Sequence, residues 1–222
     1  NIRNTVTVSF KKKELNLFRD EDILSLDVND GLSIPFVAQL SFITERRLSK
    51  NELKSYLQQS VEITVKQCSN DYSVARHRTL LGIVSSLMDN GKYQQGMENS
   101  QRKDYFSYEI TVVPEIVKLS SAQKTRSFPS VKVEKVISDI FSDYGLHAVT
   151  EDSELWEKNS LTDDLILTQT KESDFEFINR LSRAFGLNYS VVYNKNNSCN
   201  DYIFSRGFTT DKGSKVFQNS SG

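Results

Sequence analysis

The stretch that decides the fold runs from Thr168 to Tyr193 and reads TQTKESDFEFINRLSRAFGLNYSVVY. Ser173 followed by Glu176 is a capping box, in which the serine hydroxyl accepts an unpaired amide hydrogen and the glutamate carboxylate reaches back to the serine amide. Apolar residues then recur at helical spacing until Gly186, a residue type typical of helix ends: Phe177, Ile178, Leu181, Ala184 and Phe185. The pattern predicts a strand, a capped helix that buries Phe177, Ile178 and Leu181, and a second strand.

Composition limits the function classes. The chain has 222 residues and a net charge of −1, so there is no electrostatic case for binding nucleic acid or an anionic membrane. No apolar run approaches the roughly 18 residues of a membrane-spanning helix, and we expect no membrane insertion. Cys68 and Cys199 are the only cysteines. A disulfide between them is possible, but two free thiols are favoured because two cysteines do not make a disulfide-dense scaffold.

The first 95 residues are rich in strand patterns. Alternation of apolar and polar residues predicts strands over 5–10, 23–28, 35–43, 61–67 and 78–87. A capping box at Ser49 and Glu52 predicts a short helix over 48–59. Gly82 lies inside a predicted strand, which suggests a bulge or a close backbone approach. This inventory is suitable for a small β-barrel.

The second part of the chain mixes strands and helices. A polar exposed loop or long hairpin tip is predicted over 89–104, a strand over 105–113, and a long helix over 130–144 that ends at Gly145. Residues 115–125 have no clear pattern, and 147–164 are acidic and poorly periodic. Further strands are predicted over 165–170 and 202–205, and the polar tail is expected to be frayed.

Motifs for catalysis or for cofactor binding are lacking. The sequence contains no nucleotide-binding loop, no nucleophile elbow and no zinc or calcium motif. His77 is interpreted as an exposed or strand-edge histidine, and His147 as a residue that suits the negative end of a helix. We therefore expect no catalytic residue, no cofactor and no metal.

The paired carboxylates in the sequence are also interpreted as structural residues rather than as catalytic ones. Glu172 and Asp174 flank the start of the helix in the opening stretch, where negative charge is favourable by roughly 0.3–1 kcal/mol. The other pairs, Glu151-Asp152 and Asp163-Asp164, fall in a polar loop. A glycosidase would need two carboxyl groups about 5–9.5 Å apart across a sugar site, and no pair requires that reading.

Four segments and their order carry a family resemblance. They are Ile34–Leu40 (IPFVAQL), Arg78–Val84 (RTLLGIV), Tyr108–Pro114 (YEITVVP) and the opening stretch. In this order, over about residues 20–193, they resemble the N-terminal hub region of VgrG, the type VI secretion spike, and the phage baseplate hub or late control protein D family. The residues that carry the resemblance are Pro35, Phe36, Gly82, Ile83, Pro114, Gly145, Glu172, Ser173, Asp174, Phe175, Phe177, Leu181 and Gly186.

Some positions depart from the family pattern. Glu115 to Val117 stand where the family often has tryptophan, and Thr170 stands where it often has tyrosine. The family also continues into an OB-fold and a β-helical needle, whereas this sequence ends at 222. The chain is therefore expected to be either a fragment of a longer spike or a short divergent hub.

The resemblance implies an α+β, mainly β fold made of two small related β-barrels with inserted helices. It places a first barrel with one short helix in residues 1–95, and an inserted α/β domain with part of a second barrel in residues 96–222. It implies a structural protein rather than an enzyme, without a cofactor. Three copies would form a ring that joins a tube to a puncturing tip in a contractile injection machine.

The implied partners are further copies of the chain, an Hcp-like tube protein, baseplate proteins and possibly a C-terminal needle or effector. Assembly is expected in the bacterial cytoplasm, with delivery outside the cell without a signal peptide, or as part of a phage virion. The alternatives are a phage or prophage tail hub of the same fold, a hydrolytic effector, and a small carbohydrate- or peptide-binding module.

Overall fold

The protein is described by a computed structural model that covers residues 3–68, 74–93, 104–150 and 166–206. The strands within these ranges are β1 Arg3–Phe10, β2 Ile23–Gly31, β3 Ile34–Thr44, β4 Ser60–Cys68, β5 Val74–Tyr93, β6 Tyr105–Val113, β7 Gln123–Phe128, β8 His147–Thr150, β9 Leu167–Ser173, β10 Leu187–Asn194 and β11 Cys199–Arg206. The α-helices there are α1 Lys50–Tyr56, α2 Val133–Asp143 and α3 Asp174–Phe185. Short 3-10 helices cover Lys13–Leu15, Asp20–Asp22 and Glu115–Ser120.

The first six strands form one antiparallel sheet in the order β1-β4-β5-β6-β3-β2. Arg78 on β5 forms an ion pair with Asp30 on β2, although β6 and β3 lie between the two strands. The sheet is therefore strongly curled and forms a half-barrel. The predicted α+β, mainly β fold is confirmed.

Alternation explains which face of this sheet is buried. Along β3 the side chains of Phe36, Ala38, Leu40 and Phe42 are buried, and the residues between them are more exposed. Two buried tyrosines tie connecting segments to the same core. The Tyr56 hydroxyl donates to the Leu15 carbonyl at 2.8 Å, and the Tyr108 hydroxyl accepts from the Leu48 amide at 2.8 Å.

Residues 114–206 build a second layer around two helices. Strands β10, β11 and β8 form one small sheet, and β7 pairs with β9 in another. Together with α2 and α3 they enclose a separate hydrophobic core: Ile116, Leu119, Val133, Val136, Ile137, Ile140, Phe141, Leu167, Phe177, Ile178, Leu181, Leu187, Tyr189, Tyr202 and Phe204. We call residues 3–113 the first module and residues 114–206 the second module.

Strand β6 pairs within the sheet of the first module, although it lies beyond residue 95. The predicted domain division at 95/96 stays a prediction. No helix in the described ranges is long and apolar enough to cross a membrane.

Several predicted boundaries are corrected. Strand β5 continues to Tyr93, inside the predicted loop 89–104, because it stays paired with β6 up to Tyr105. Helix α2 begins at Val133 rather than at 130, since Ser130 has a φ of +50° and Lys132 is extended. The rest of that loop, residues 94–103, lies outside the described residues, as do 151–165 and the tail from 207.

Long-range pairing accounts for the elements that the pattern missed. Residues 147–150, predicted as poorly periodic, form β8, which pairs in parallel with β11. Strand β11 has eight residues instead of the predicted four, because it pairs with β10 along its whole length. The unassigned segment 115–125 contains a 3-10 helix and the start of β7.

Candidate functional site

The start and end of α3 match the predicted signals. The Glu176 amide donates to Ser173 Oγ at 3.2 Å, and the Ser173 amide donates to Glu176 Oε2 at 2.7 Å. The Ser173 hydroxyl also donates to Glu176 Oε2, at 2.9 Å. The two bonds that the carboxylate accepts, from the Ser173 amide and from the Ser173 hydroxyl, hold the pKa of Glu176 below its ordinary value. Gly186 ends the helix with φ +65° and ψ 32°, the left-handed conformation that glycine adopts without strain. The capping box and the helix end are confirmed.

The apolar face of α3 is buried as predicted. Phe177, Ile178 and Leu181 are 0%, 1% and 2% exposed. The Phe177 ring stacks on Phe128 with ring centroids 5.6 Å apart. The helix thus fixes the position of the β7–β9 sheet relative to the second core.

Asp174 lies at the centre of a buried ionic cluster. Its Oδ1 accepts from Arg126 Nη2 at 2.6 Å and from Gln169 Nε2 at 2.9 Å. Its Oδ2 accepts from Lys124 Nζ at 2.6 Å and from the Tyr144 hydroxyl at 2.7 Å. We call these five residues the Asp174 cluster. It joins β7, β9, the residue that follows α2, and the first turn of α3.

Burial and ion pairing act on Asp174 in opposite directions. Burial raises the pKa of the carboxyl, but hydrogen bonds from Lys124, Gln169 and Tyr144 and the charge of Arg126 outweigh burial, so that the pKa lies below its ordinary value. The interpretation of Asp174 as a helix-start charge is therefore incomplete. Asp174 lies in the first turn of α3, but it is 0% exposed. Its hydrogen bonds connect α3 to β7, to β9 and to Tyr144 after α2.

Glu172 has a different role from Asp174. It accepts two hydrogen bonds from Arg180, one from Nη2 at 2.6 Å and one from Nε at 3.2 Å. Arg180 also donates to the Thr168 carbonyl at 2.6 Å, so the pair ties the side of α3 to β9. Both carboxylates of the predicted pair are thus engaged by cations.

The other residues singled out in the sequence serve backbone geometry and packing. A Cβ built on Gly82 would lie 2.6 Å from the Val113 carbonyl oxygen, which confirms the predicted close approach of backbone. Gly145 has a φ of +66° and lies two residues beyond Asp143, the last residue of α2. The remaining positions fall into two groups. Phe36, Ile83 and Pro114 are buried, whereas Pro35 and Phe175 are half-buried.

The two modules meet through backbone and polar contacts. The Ser33 amide donates to the Tyr189 carbonyl at 2.8 Å, and the Tyr189 amide donates to Ser33 Oγ at 3.1 Å. Asn200 Nδ2 donates to the Leu81 carbonyl at 2.8 Å. Val191 packs against both hydrophobic cores. The structure therefore brings the β2–β3 turn and the outer side of β5 against β10 and β11.

The two histidines and Cys199 lie on strands. His77 is exposed on β5, as predicted. His147 starts β8 and its Nδ1 lies 2.8 Å from Asp201 Oδ1, so a carboxylate is its partner rather than the helix end. Cys199 is a free thiol whose pKa is raised by burial, and the side chain of Cys68 lies outside the described residues. Across the described ranges no group of three or more His, Cys, Asp or Glu side chains could hold a metal ion.

Sequence reasoning missed the cations of the Asp174 cluster. Lys124 and Arg126 are two residues apart on β7, so they project from the same face of the strand, and both are half-buried. The spacing of Lys124 and Arg126 was the signal in the sequence that indicated a pair of cations on one face of a strand. It could not indicate the partner, because Asp174 lies 48 and 50 residues further along the chain.

Solved structures share this fold. The chain is similar to the E. coli c3393 protein, at 16% identity and a TM-score of 0.61, and the match covers 90% of this chain and 48% of that one. The c3393 protein is a component of the type VI secretion system and has structural similarity to the T4 bacteriophage tail proteins gp27 and gp5. It is also similar to a chain of the half-lidded Francisella PdpA–VgrG complex, at 9% identity and a TM-score of 0.60, covering 95% and 32% of the two chains.

A third match is the 43 kDa tail protein of prophage MuSo2 from Shewanella oneidensis, at 7% identity and a TM-score of 0.58, covering 93% and 54% of the two chains. The chain thus spans between about a third and just over half of the length of these proteins. The model of the phage tail baseplate hub (GPD) family matches residues 29–200, which is more than half of the 222 residues. The resemblance seen in the sequence is confirmed, and the chain belongs to the phage tail baseplate hub (GPD) family.

Proposed function

We propose that this chain is a structural hub module of a contractile injection machine, in which three copies form a ring that joins a tube to a puncturing tip. The observation that carries the proposal is the family match over residues 29–200, which spans both modules. The fold shared with a type VI secretion component and with a prophage tail protein supports both settings, a secretion spike and a phage tail hub. In either setting the module would be assembled in the bacterial cytoplasm and then leave the cell or act within a virion.

The edges of the curled sheet are suitable for ring assembly. Within the described residues β1 and β2 each pair with a single neighbouring strand. On the outer edge of β1 the amides of Val8 and Phe10 donate to Asp20 Oδ1 and Asn16 Oδ1, whereas no such bond to the backbone of β2 is present in the described residues, so β2 has the open edge. Leu24, at an irregularity in the β2–β3 pairing, is 41% exposed. A trimer with head-to-tail contacts joins two different surfaces of each copy and closes into a ring. We propose that the β2 edge is one of these two surfaces.

The proposed role needs a rigid scaffold and no catalysis. The carboxylates of the opening stretch support this, since Glu172 is held by Arg180 and Asp174 by Lys124 and Arg126. Groups engaged in this way stabilise the packing of α3. A hydrolase would instead need a carboxyl group free to accept or donate a proton at a substrate.

The trimer is tested by light scattering coupled to gel filtration over a range of concentrations. We expect a mass three times that of one chain, and we expect Leu24→Lys to shift the mass toward the monomer because a charge at the edge opposes strand contact. Gln39→Lys is the control, since Gln39 is also exposed but lies on β3 between two neighbours, paired with Asp27 of β2 and with Thr111 of β6. A wild-type monomer at every concentration, with no binding to rings of an Hcp-like tube protein, would count against the proposal.

A further inference from the structure

A cleft of about 520 Å³ lies between the two modules. One wall is the β2–β3 turn of the first module, and the other is one face of α3, from Phe175 to Arg183, with the start of β10. The residues that line it are Ser33, Ile34, Pro35, Phe175, Asn179, Ser182, Arg183, Gly186, Leu187 and Asn188. Ligand sites occur preferentially at such junctions.

Polar groups in the cleft lack partners. Ser182 is 3% exposed, and its Oγ is buried without a hydrogen bond among the described residues. A buried hydroxyl without a partner costs free energy, and in native proteins such a group usually finds a partner. Nearby, the Asn179 amide and the Arg183 guanidinium form no hydrogen bond or ion pair with the part of the chain described by the structure.

The charge of the cleft is distinctive. Three residues before Arg183, Arg180 is neutralised by Glu172, whereas no acidic residue lines the cleft beside Arg183. The single positive charge of Arg183 is suited to pair with one carboxylate of a ligand. A phosphate or a nucleic-acid backbone would call for several cations, and Arg183 is the single basic residue in the lining.

The rest of the lining is apolar and partly open to solvent. Ile34 is 59% exposed at the rim, and Pro35 and Phe175 are half-buried beside it. Contact with an apolar side chain would remove this surface from water, at about 25 cal/mol per Å². The two walls are already held in place by the paired hydrogen bonds of Ser33 and Tyr189, so little ordering is required on binding.

We propose that this cleft binds a short extended peptide segment of a partner protein, in which an apolar side chain stands next to an acidic one. The apolar side chain contacts Ile34 and Phe175, and the carboxylate pairs with Arg183. The inference goes beyond the hub role and does not rest on it, because it concerns a monomer surface that exists in the single chain.

The test is a titration of the ¹⁵N-labelled chain with the peptide acetyl-Gly-Leu-Glu-Gly-amide, followed by amide chemical shifts. We expect saturable shifts confined to residues around Ser33, Gly186 and Asn188, with a dissociation constant of about 1 mM. The matched peptide with Gln in place of Glu should bind roughly fivefold more weakly, because an exposed ion pair contributes up to about 1 kcal/mol.

Variants separate binding from folding. Arg183→Gln should weaken the Glu peptide roughly fivefold and leave the Gln peptide unchanged, whereas Lys195→Gln, which removes a charge in the β10–β11 turn, should change neither. The absence of saturable shifts, or equal affinity of both peptides for wild type and Arg183→Gln, would overturn the proposal.

Discussion

Ser33 and Tyr189 hold the two modules together through a reciprocal pair of hydrogen bonds. The Ser33 amide donates to the Tyr189 carbonyl at 2.8 Å, and the Tyr189 amide donates to Ser33 Oγ at 3.1 Å. Ser33 adopts a φ of +57°, which is unfavourable for a residue with a side chain. The strain persists because the turn aligns the serine amide and hydroxyl with the backbone of β10.

Ser33→Ala tests this junction. The substitution keeps the backbone amide but leaves the amide of the buried Tyr189 without its acceptor, which should lower the free energy of unfolding by about 1–2 kcal/mol. Ser130→Ala is the matched control, because Ser130 has a similar φ of +50° but is exposed. Urea denaturation of both variants checks the prediction, and equal losses in the two would refute the role of the hydroxyl.

Gly82 is expected to tolerate no side chain. A Cβ there would lie 2.6 Å from the Val113 carbonyl oxygen and 2.7 Å from Val112 Cγ1, so Gly82→Ala must push β5 away from β6. We expect a loss of about 2–3 kcal/mol in the free energy of unfolding, in the range of overpacked cores. At Gly31 the nearest atom to a new Cβ is the flexible end of Ile34 at 3.3 Å. Gly31→Ala should therefore cost much less, and thermal melts of the two variants provide the comparison.

The capping boxes of α1 and α3 should contribute similarly. Removal of the hydroxyl in Ser49→Ala or Ser173→Ala leaves an amide at the helix start without its acceptor, and each should cost about 1 kcal/mol. Ser142→Ala makes the same chemical change at an exposed site inside α2, where alanine is the better helix former. That control should be neutral or slightly stabilising. Chemical denaturation monitored by circular dichroism measures all three, and a loss in the control as large as in the caps would contradict the assignment.

These helix starts show what was predictable from sequence. The signals of Ser49 and Ser173 are complete within four residues, so the pattern alone identifies the donor and the acceptor. The close approach at Gly82 was also indicated, since a glycine inside a strand pattern implies backbone proximity. Its partner Val113 could not be named, because the pairing of β5 with β6 depends on the whole sheet.

Other features depend on contacts between distant segments and escaped prediction. Strand β8 has no pattern of its own and exists because it pairs with β11, more than 50 residues away. The cleft beside Arg183 also combines segments from both modules. Two of the motif residues, Phe175 and Gly186, lie on one wall of this cleft, but the opposite wall comes from the turn at Ser33. Local sequence patterns could therefore identify elements but not the surface between them.

Asp174 offers the sharpest test of the second module, because a buried carboxylate holds two cations there. Asp174→Asn keeps the size of the side chain but removes the carboxylate that pairs with both Lys124 and Arg126, and leaves Arg126 with only Asp143 Oδ2, at 3.9 Å, as a carboxylate partner. Because the two cations are half-buried and reach water, the expected loss is that of hydrogen bonds to a charged group, about 1.5–3 kcal/mol in the free energy of unfolding at neutral pH. Asp139→Asn, at an exposed pair with Lys135 on α2, should cost at most about 0.5 kcal/mol.

The same variant should alter the pH dependence of stability. The folded protein holds the pKa of Asp174 below its ordinary value, so the stabilisation by the carboxylate is complete above the unfolded-state pKa of about 3.9 and is lost as the pH falls through the folded-state pKa. The difference in the free energy of unfolding between wild type and Asp174→Asn should therefore be constant from pH 7 to about pH 5 and shrink below about pH 4. Urea denaturation at a series of pH values measures this difference. A difference that stayed constant down to pH 3 would mean that the carboxylate charge does not stabilise the cluster, and that the cost of the substitution comes from packing alone.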